Sequence, residues 1–104
     1  MKFGLKPEVI KKIECVFQSY PGVEKVLLYG SRAKENFYPG SDIDLTLVGK
    51  NLTASTRNKI AADLDDLNTP YLIDLSIHSK ISSENLQGHI ERVGKIVYQK
   101  HRII

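Results

Sequence analysis

The sequence predicts one α/β or α+β domain, and three observations carry that expectation. Hydrophobic periodicity switches repeatedly between helical and strand spacing along the chain. The composition, 41% hydrophobic and 26% charged, is that of an ordinary globular protein. The length of 104 residues suits one domain and leaves no room for two.

The elements follow in order. Pro7 suits the first turn of a helix, where its missing N–H leaves no bond unmade. Val9, Ile13, Val16 and Tyr20 come next at helical spacing, with Ile10 and Phe17 beside them, and Pro21-Gly22 ends the element. The run Val26-Leu27-Leu28-Tyr29 is apolar on both faces and reads as an inner strand. Gly30-Ser31 breaks that strand. A short helical turn is expected over 32–35 and a loop over 36–41, punctuated by Pro39-Gly40.

A second strand is predicted over 42–48, with Ile43, Leu45 and Leu47 on one face and Asp42, Asp44 and Thr46 on the other. Thr53 is placed to N-cap a helix whose apolar stripe is Ile60, Leu64 and Leu67. Pro70 precedes a third strand over 71–77. There Ile73, Leu75 and Ile77 share one face, and Leu72, Asp74 and Ser76 the other. Ser82 or Ser83 caps a last helix carrying Leu86, Ile90 and Val93, and Gly94 stops it. A short extended segment is expected over 95–98, followed by a fraying tail with Lys100, His101 and Arg102.

Composition excludes several classes. Fifteen Lys+Arg against twelve Asp+Glu give a net charge of +3, too little by itself to imply nucleic-acid binding. The single cysteine, Cys15, excludes an internal disulfide framework. No apolar run approaches the roughly 18 residues of a membrane span, and the N-terminus lacks the apolar region of a signal peptide. The expectation is a soluble cytoplasmic protein. Its modest core implies a compact site, one that a partner completes.

The chemistry concentrates in Gly30-Ser31-Arg32 and Gly40-Ser41-Asp42-Ile43-Asp44. Strand alternation puts Asp42 and Asp44 on one face, roughly 6.5–7 Å apart. Like charges so close repel, and a chain tolerates them where a cation sits between them. Mg²⁺ is the usual hard cation when substrate phosphates supply further ligands. Asp74 has the matching parity on the third strand, so three carboxylates can converge if the second and third strands are neighbours. Gly30 lets the backbone approach a ligand, and free N–H groups after it attract anions. The Ser31 hydroxyl adds a donor, and Arg32 can pair with phosphate or anchor the turn instead. An anion cradle beside a carboxylate metal site is the equipment for nucleotidyl or phosphoryl transfer, with the third carboxylate available as a base.

These residues resemble the minimal nucleotidyltransferases of the DNA polymerase beta-like superfamily. The resemblance covers nearly the whole chain, including Tyr71-Leu72-Ile73-Asp74-Leu75-Ser76 and the late segment from Ile90 to Tyr98. It implies the nucleotidyltransferase fold, an α+β two-layer domain with a small mixed β-sheet covered on one face by helices. It implies that Gly30 and Ser31 hold nucleotide phosphates, with Arg32 and Ser41 in the same nucleotide-binding motif. Asp42, Asp44 and Asp74 are implied as the catalytic and metal-binding carboxylates for two Mg²⁺ ions, with Asp74 the general base and ATP the substrate. Relatives this small pair with a small all-helical HEPN-type protein, and some transfer AMP to a tyrosine of that partner as its antitoxin. The alternatives are transfer to a small molecule or an RNA end, or a noncatalytic nucleotide-binding or toxin-blocking subunit. The chain departs from many relatives at Glu35, where they carry Gly; if that position needs a positive φ, the loop takes another path.

The remaining conspicuous residues have plainer expectations. Cys15 is expected to be a buried structural thiol. His78, His89 and His101 lack metal-ligand spacing; His89 is expected at the surface or against a partner, and His78, after the third strand, is expected to have no site role, approach to the nucleotide being the lesser alternative. Tyr29 and Tyr71 are expected in the core. Phe37 and Tyr38, in the loop, can stack on a base or pack on the sheet edge.

Overall fold

The computed structural model describes residues 4–30, 32–33 and 42–100. The elements run α1 (Pro7–Gln18), β1 (Lys25–Tyr29), β2 (Ile43–Val48), α2 (Ala54–Asp65), β3 (Ile73–Ile77), a 3-10 turn (His78–Lys80), α3 (Glu84–Val93) and β4 (Lys95–Gln99). The four strands form one mixed sheet in the order β3-β2-β1-β4. β1 pairs antiparallel with β2 and β4, and β2 pairs parallel with β3.

Local chemistry explains the element ends. Pro7 opens α1 at its first turn. The Thr53 hydroxyl caps α2 by accepting from the Thr56 N–H, 3.2 Å away. Ser83, rather than Ser82, caps α3 in the same way from the Leu86 N–H. Gly94 ends α3 in ordinary extended backbone, not in the left-handed conformation of a glycine stop. Glycine is needed there for space: a Cβ would lie 2.5 Å from the Ile90 carbonyl oxygen.

One face of the sheet carries the core. Val26 and Leu28 of β1, Ile43, Leu45 and Leu47 of β2, and Leu75 and Ile77 of β3 cluster with Ile13 and Phe17 of α1 and Ile60 and Leu64 of α2. Each fully buried aliphatic side chain of this kind contributes roughly 1.5–3 kcal/mol. The Tyr20 hydroxyl, just beyond α1, donates to Asp63 of α2 and ties the two helices together. α3 contacts β1 and buries Ile90 completely; Ile90 and Leu27 stand outside the main cluster.

Some expectations shift. β2 and β3 each begin later than the sequence suggested, at Ile43 and Ile73. Pairing starts with the Ile43 N–H donating to the Leu72 carbonyl at 2.9 Å, which leaves Tyr71 free of the ladder. Leu72 itself is 67% exposed. The 3-10 turn after β3 was not anticipated. The late segment is a full strand, and its pairing with β1 makes β1 an inner strand. Cys15 is exposed, not buried. It lies two residues from both Ile13 and Phe17, about 200° around the helix from each, and so faces solvent. The helical turn expected over 32–35, the loop over 36–41 and the tail beyond residue 100 fall largely outside the described residues; Arg32 and Ala33 are buried there.

Candidate active site

The sheet assembles the site at one end of its second face. Tyr29 stands opposite Asp44 in the antiparallel ladder of β1 and β2. Asp44 stands opposite Asp74 in the parallel ladder of β2 and β3. Since side chains in register share a face, the three residues form one row across three strands, with neighbouring strands about 4.8 Å apart. Asp42 precedes β2 and is exposed, as is Asp74; Asp44 is half-buried. The next row is Leu27, Thr46 and Ser76. Thr46 is completely buried, and the Ser76 hydroxyl lies 2.9 Å from its Oγ1.

Gly30 follows Tyr29 with φ +77, a conformation that suits glycine. A Cβ at this position would overlap Asp44 Oδ2 and lie 3.3 Å from its Cγ. The turn after β1 therefore passes directly beside the carboxylate of β2.

The electrostatics follow from this crowding. Burial pushes the Asp44 carboxyl above the usual carboxylate range, and the charges of Asp74 and then Asp42 push it further. Burial also raises the Tyr29 phenol; a hydrogen bond with Ser76 opposes this, and the Asp44 and Asp74 charges add to it. Tyr29 was expected simply as core. It is a half-exposed neutral phenol in the row with both carboxylates, and only the strand register reveals that.

The Asp44–Asp74 pair suits a hard divalent cation, because each carboxylate supplies oxygen ligands and the Asp74 charge adds to the cost of ionising Asp44. The three aspartates do not close into a cage. Among the described residues, no group of three or more His, Cys, Asp or Glu side chains gathers tightly enough to hold a metal ion. Mg²⁺ is nevertheless bound through one or two carboxylates when phosphates complete its shell.

Arg32 is only 1% exposed, and its guanidinium carbon lies 4.8 Å from the centroid of the Tyr71 ring. Ser31 and Ser41 lie outside the described residues, as do Glu35, Phe37, Tyr38 and His101. The His78 contacts lie with α3. Its Nε2 lies 3.4 Å from Glu91 Oε1 of α3, its carbonyl accepts from Gln87 Nε2, and its buried Nδ1 has no partner among the described residues. His89 is half-buried on α3. No helix of the described residues is long and apolar enough to cross a membrane.

Comparison with known proteins points to one family. The family described as "Polymerase beta, Nucleotidyltransferase" matches residues 11–103. Among solved structures, the fold is similar to a chain of a toxin–antitoxin complex with AMP-PNP, at TM-score 0.70 and 22% identity over 92% of this chain and 75% of that one. It is also similar to a chain of the tri-AMPylated Shewanella oneidensis HEPN toxin in complex with MNT antitoxin, at TM-score 0.68 and 19% identity over 92% and 74%. A nucleotidyltransferase described as putative, from Sulfolobus solfataricus, aligns at TM-score 0.57 and 22% identity over 89% and 79%. At these identities the likeness is one of fold. Among curated proteins, no sequence match reaches significance.

Proposed function

The chain belongs to the polymerase beta nucleotidyltransferase family, and from that premise we propose that it transfers AMP from ATP to a hydroxyl of a small helical HEPN-type toxin, as the antitoxin of the pair. The observation that carries this reading is the row of Asp44 and Asp74 in register on parallel strands, with the Gly30 turn beside Asp44. The fold shared with chains of a toxin–antitoxin complex with AMP-PNP and of a complex holding an AMPylated toxin supports the nucleotide and the partner.

In this proposal Gly30 and Ser31 hold the nucleotide phosphates, with Ser41 supporting the loop or a phosphate. Asp42, Asp44 and Asp74 are the residues that hold Mg²⁺, two ions with the nucleotide bound. When bound, Mg²⁺ supplies charge neutralisation for the triphosphate and for departing pyrophosphate. Asp74, exposed at the edge strand, accepts the proton of the acceptor hydroxyl. The hydroxyl oxygen bonds to the α-phosphorus, and the bond from that phosphorus to the bridging oxygen of pyrophosphate breaks. The half-burial of Asp44 limits water around the reacting groups. Arg32, buried in the motif, serves the nucleotide by holding the turn. The cytoplasm, where ATP is abundant, is the proposed setting.

The test is to incubate the chain with ATP, Mg²⁺ and a small helical HEPN-type protein from the same genome, and to weigh that protein by mass spectrometry. An AMP increment on the partner, lost with Asp42→Asn, is the expected result. No increment on the partner sinks the protein-modification reading. Toxin neutralisation unchanged in Asp42→Asn means that binding alone suffices.

A further inference from the structure

The sheet order leaves one part of the site without an obvious geometric control. The turn that starts at Gly30 leaves β1, while Asp74 lies on β3, and β2 stands between them. Among the described residues, no strand pairing links that turn to β3. The connection comes from two side chains, Arg32 and Tyr71.

Arg32 is two residues beyond Gly30 and 1% exposed. A guanidinium removed from water is unfavourable unless its charge and donors are met. The Tyr71 ring meets part of that need, with the guanidinium carbon 4.8 Å from its centroid, within the range of a cation–π contact. Tyr71 is half-buried and packs on the core cluster. It is followed by Leu72, whose carbonyl accepts the first hydrogen bond of the β2–β3 ladder from Ile43. Three residues after Tyr71 comes Asp74.

We propose that Arg32 is a positioning residue and Tyr71 its seat: stacked together, they clamp the turn after β1 to the start of β3, and so set the distance between the nucleotide phosphates and Asp74. This rests on the reading that the Gly30 turn holds those phosphates. Arg32 then acts through Tyr71 and not by pairing with phosphate. Tyr71, which touches no substrate in this arrangement, becomes a determinant of nucleotide binding and of turnover.

The experiment is a double-mutant cycle with Arg32→Met and Tyr71→Leu, read by calorimetric binding of AMP-PNP with Mg²⁺, by kcat and KM for ATP, and by thermal unfolding. Arg32→Lys and Tyr71→Met serve as milder variants should the others fail to fold. Each single substitution is expected to weaken AMP-PNP binding about tenfold, with the double no worse than either single. Tyr71→Phe, which keeps the ring, is expected to retain wild-type affinity and kcat. The clamp is overturned if Arg32→Met weakens binding while Tyr71→Leu does not, or if the two losses multiply. If the wild-type chain binds no AMP-PNP, the nucleotidyl-transfer reading fails, and the clamp is judged by unfolding alone. Non-additive losses of stability then support it, and additive losses overturn it.

Discussion

The carboxylate of Asp44 occupies the volume that a side chain at position 30 would need. A Cβ on Gly30 would overlap Oδ2, and the backbone there has φ +77. Glycine at 30 is thus required twice, once by conformation and once by the neighbour it touches. The residue that starts the proposed phosphate turn therefore lies beside a proposed metal-binding residue.

Gly30→Ala is accordingly expected to displace the Asp44 carboxylate or the turn. A shift of about 1 Å at reacting groups costs roughly 100-fold in rate. The positive φ adds a stability loss of more than about 1 kcal/mol. Steady-state transfer assays and urea unfolding of the same variant check both figures.

Asp44→Asn is expected to abolish turnover while leaving the melting temperature unchanged or higher. Its ionised form is held at a cost by burial and by Asp74 and Asp42. Replacing it removes that cost without changing the shape of the side chain. A large fall in melting temperature would mark Asp44 as structural instead.

The same crowding gives the metal-free protein a pH dependence of definite sign. The folded Asp44 carboxyl binds its proton more tightly than the unfolded one, so the native state holds more protons in the carboxylate range. The contribution of Asp44 to stability is therefore complete at acid pH below its unfolded value and is lost as pH rises through the raised folded value. Thermal melts in chelator should show this component, and the Asp44→Asn protein should lack it.

Mg²⁺ should reverse the effect at neutral pH. A ligand that binds only the folded state stabilises it by about 2.7 kcal/mol at 100 times its dissociation constant. A thermal shift with Mg²⁺ is expected in the wild type and is expected to shrink in Asp44→Asn and in Asp74→Asn. Equal shifts in all three proteins would place the ion elsewhere.

Cys15→Ser should alter neither stability beyond about 0.5 kcal/mol nor activity, because the thiol faces solvent on α1. The native protein should react with a thiol reagent without prior unfolding. A protected thiol would contradict the helix orientation.

Much of the molecule was legible in its residues, for local reasons. Pro7, Thr53 and Ser83 act within one helical turn, so sequence alone marks where the helices begin. The alternation in 43–47 and 73–77 separates Asp44 and Asp74 from the core face because strand periodicity is itself local. Cys15 departs from the expected burial because apolar neighbours along the chain do not say which side of a helix a residue takes. Tyr71 packs on the core as an aromatic in an apolar run suggests, but such a run carries no sign of what lies across the sheet, neither the carboxylates beside Tyr29 nor the guanidinium on Tyr71.

The sequence by itself determined where helices and strands lie, the polar faces of the second and third strands, and the family resemblance that the motifs carry. The elements and their polar faces depend on residues within a few positions of one another. The tertiary structure alone decided that β2 and β3 are parallel neighbours in a register that sets Asp44 against Asp74. It decided that Asp44 fills the space beside Gly30, and that Arg32 is sealed against Tyr71. Those contacts join segments far apart in the chain, where no periodicity constrains the partner. They are chosen by how the helices and the sheet bury a common core.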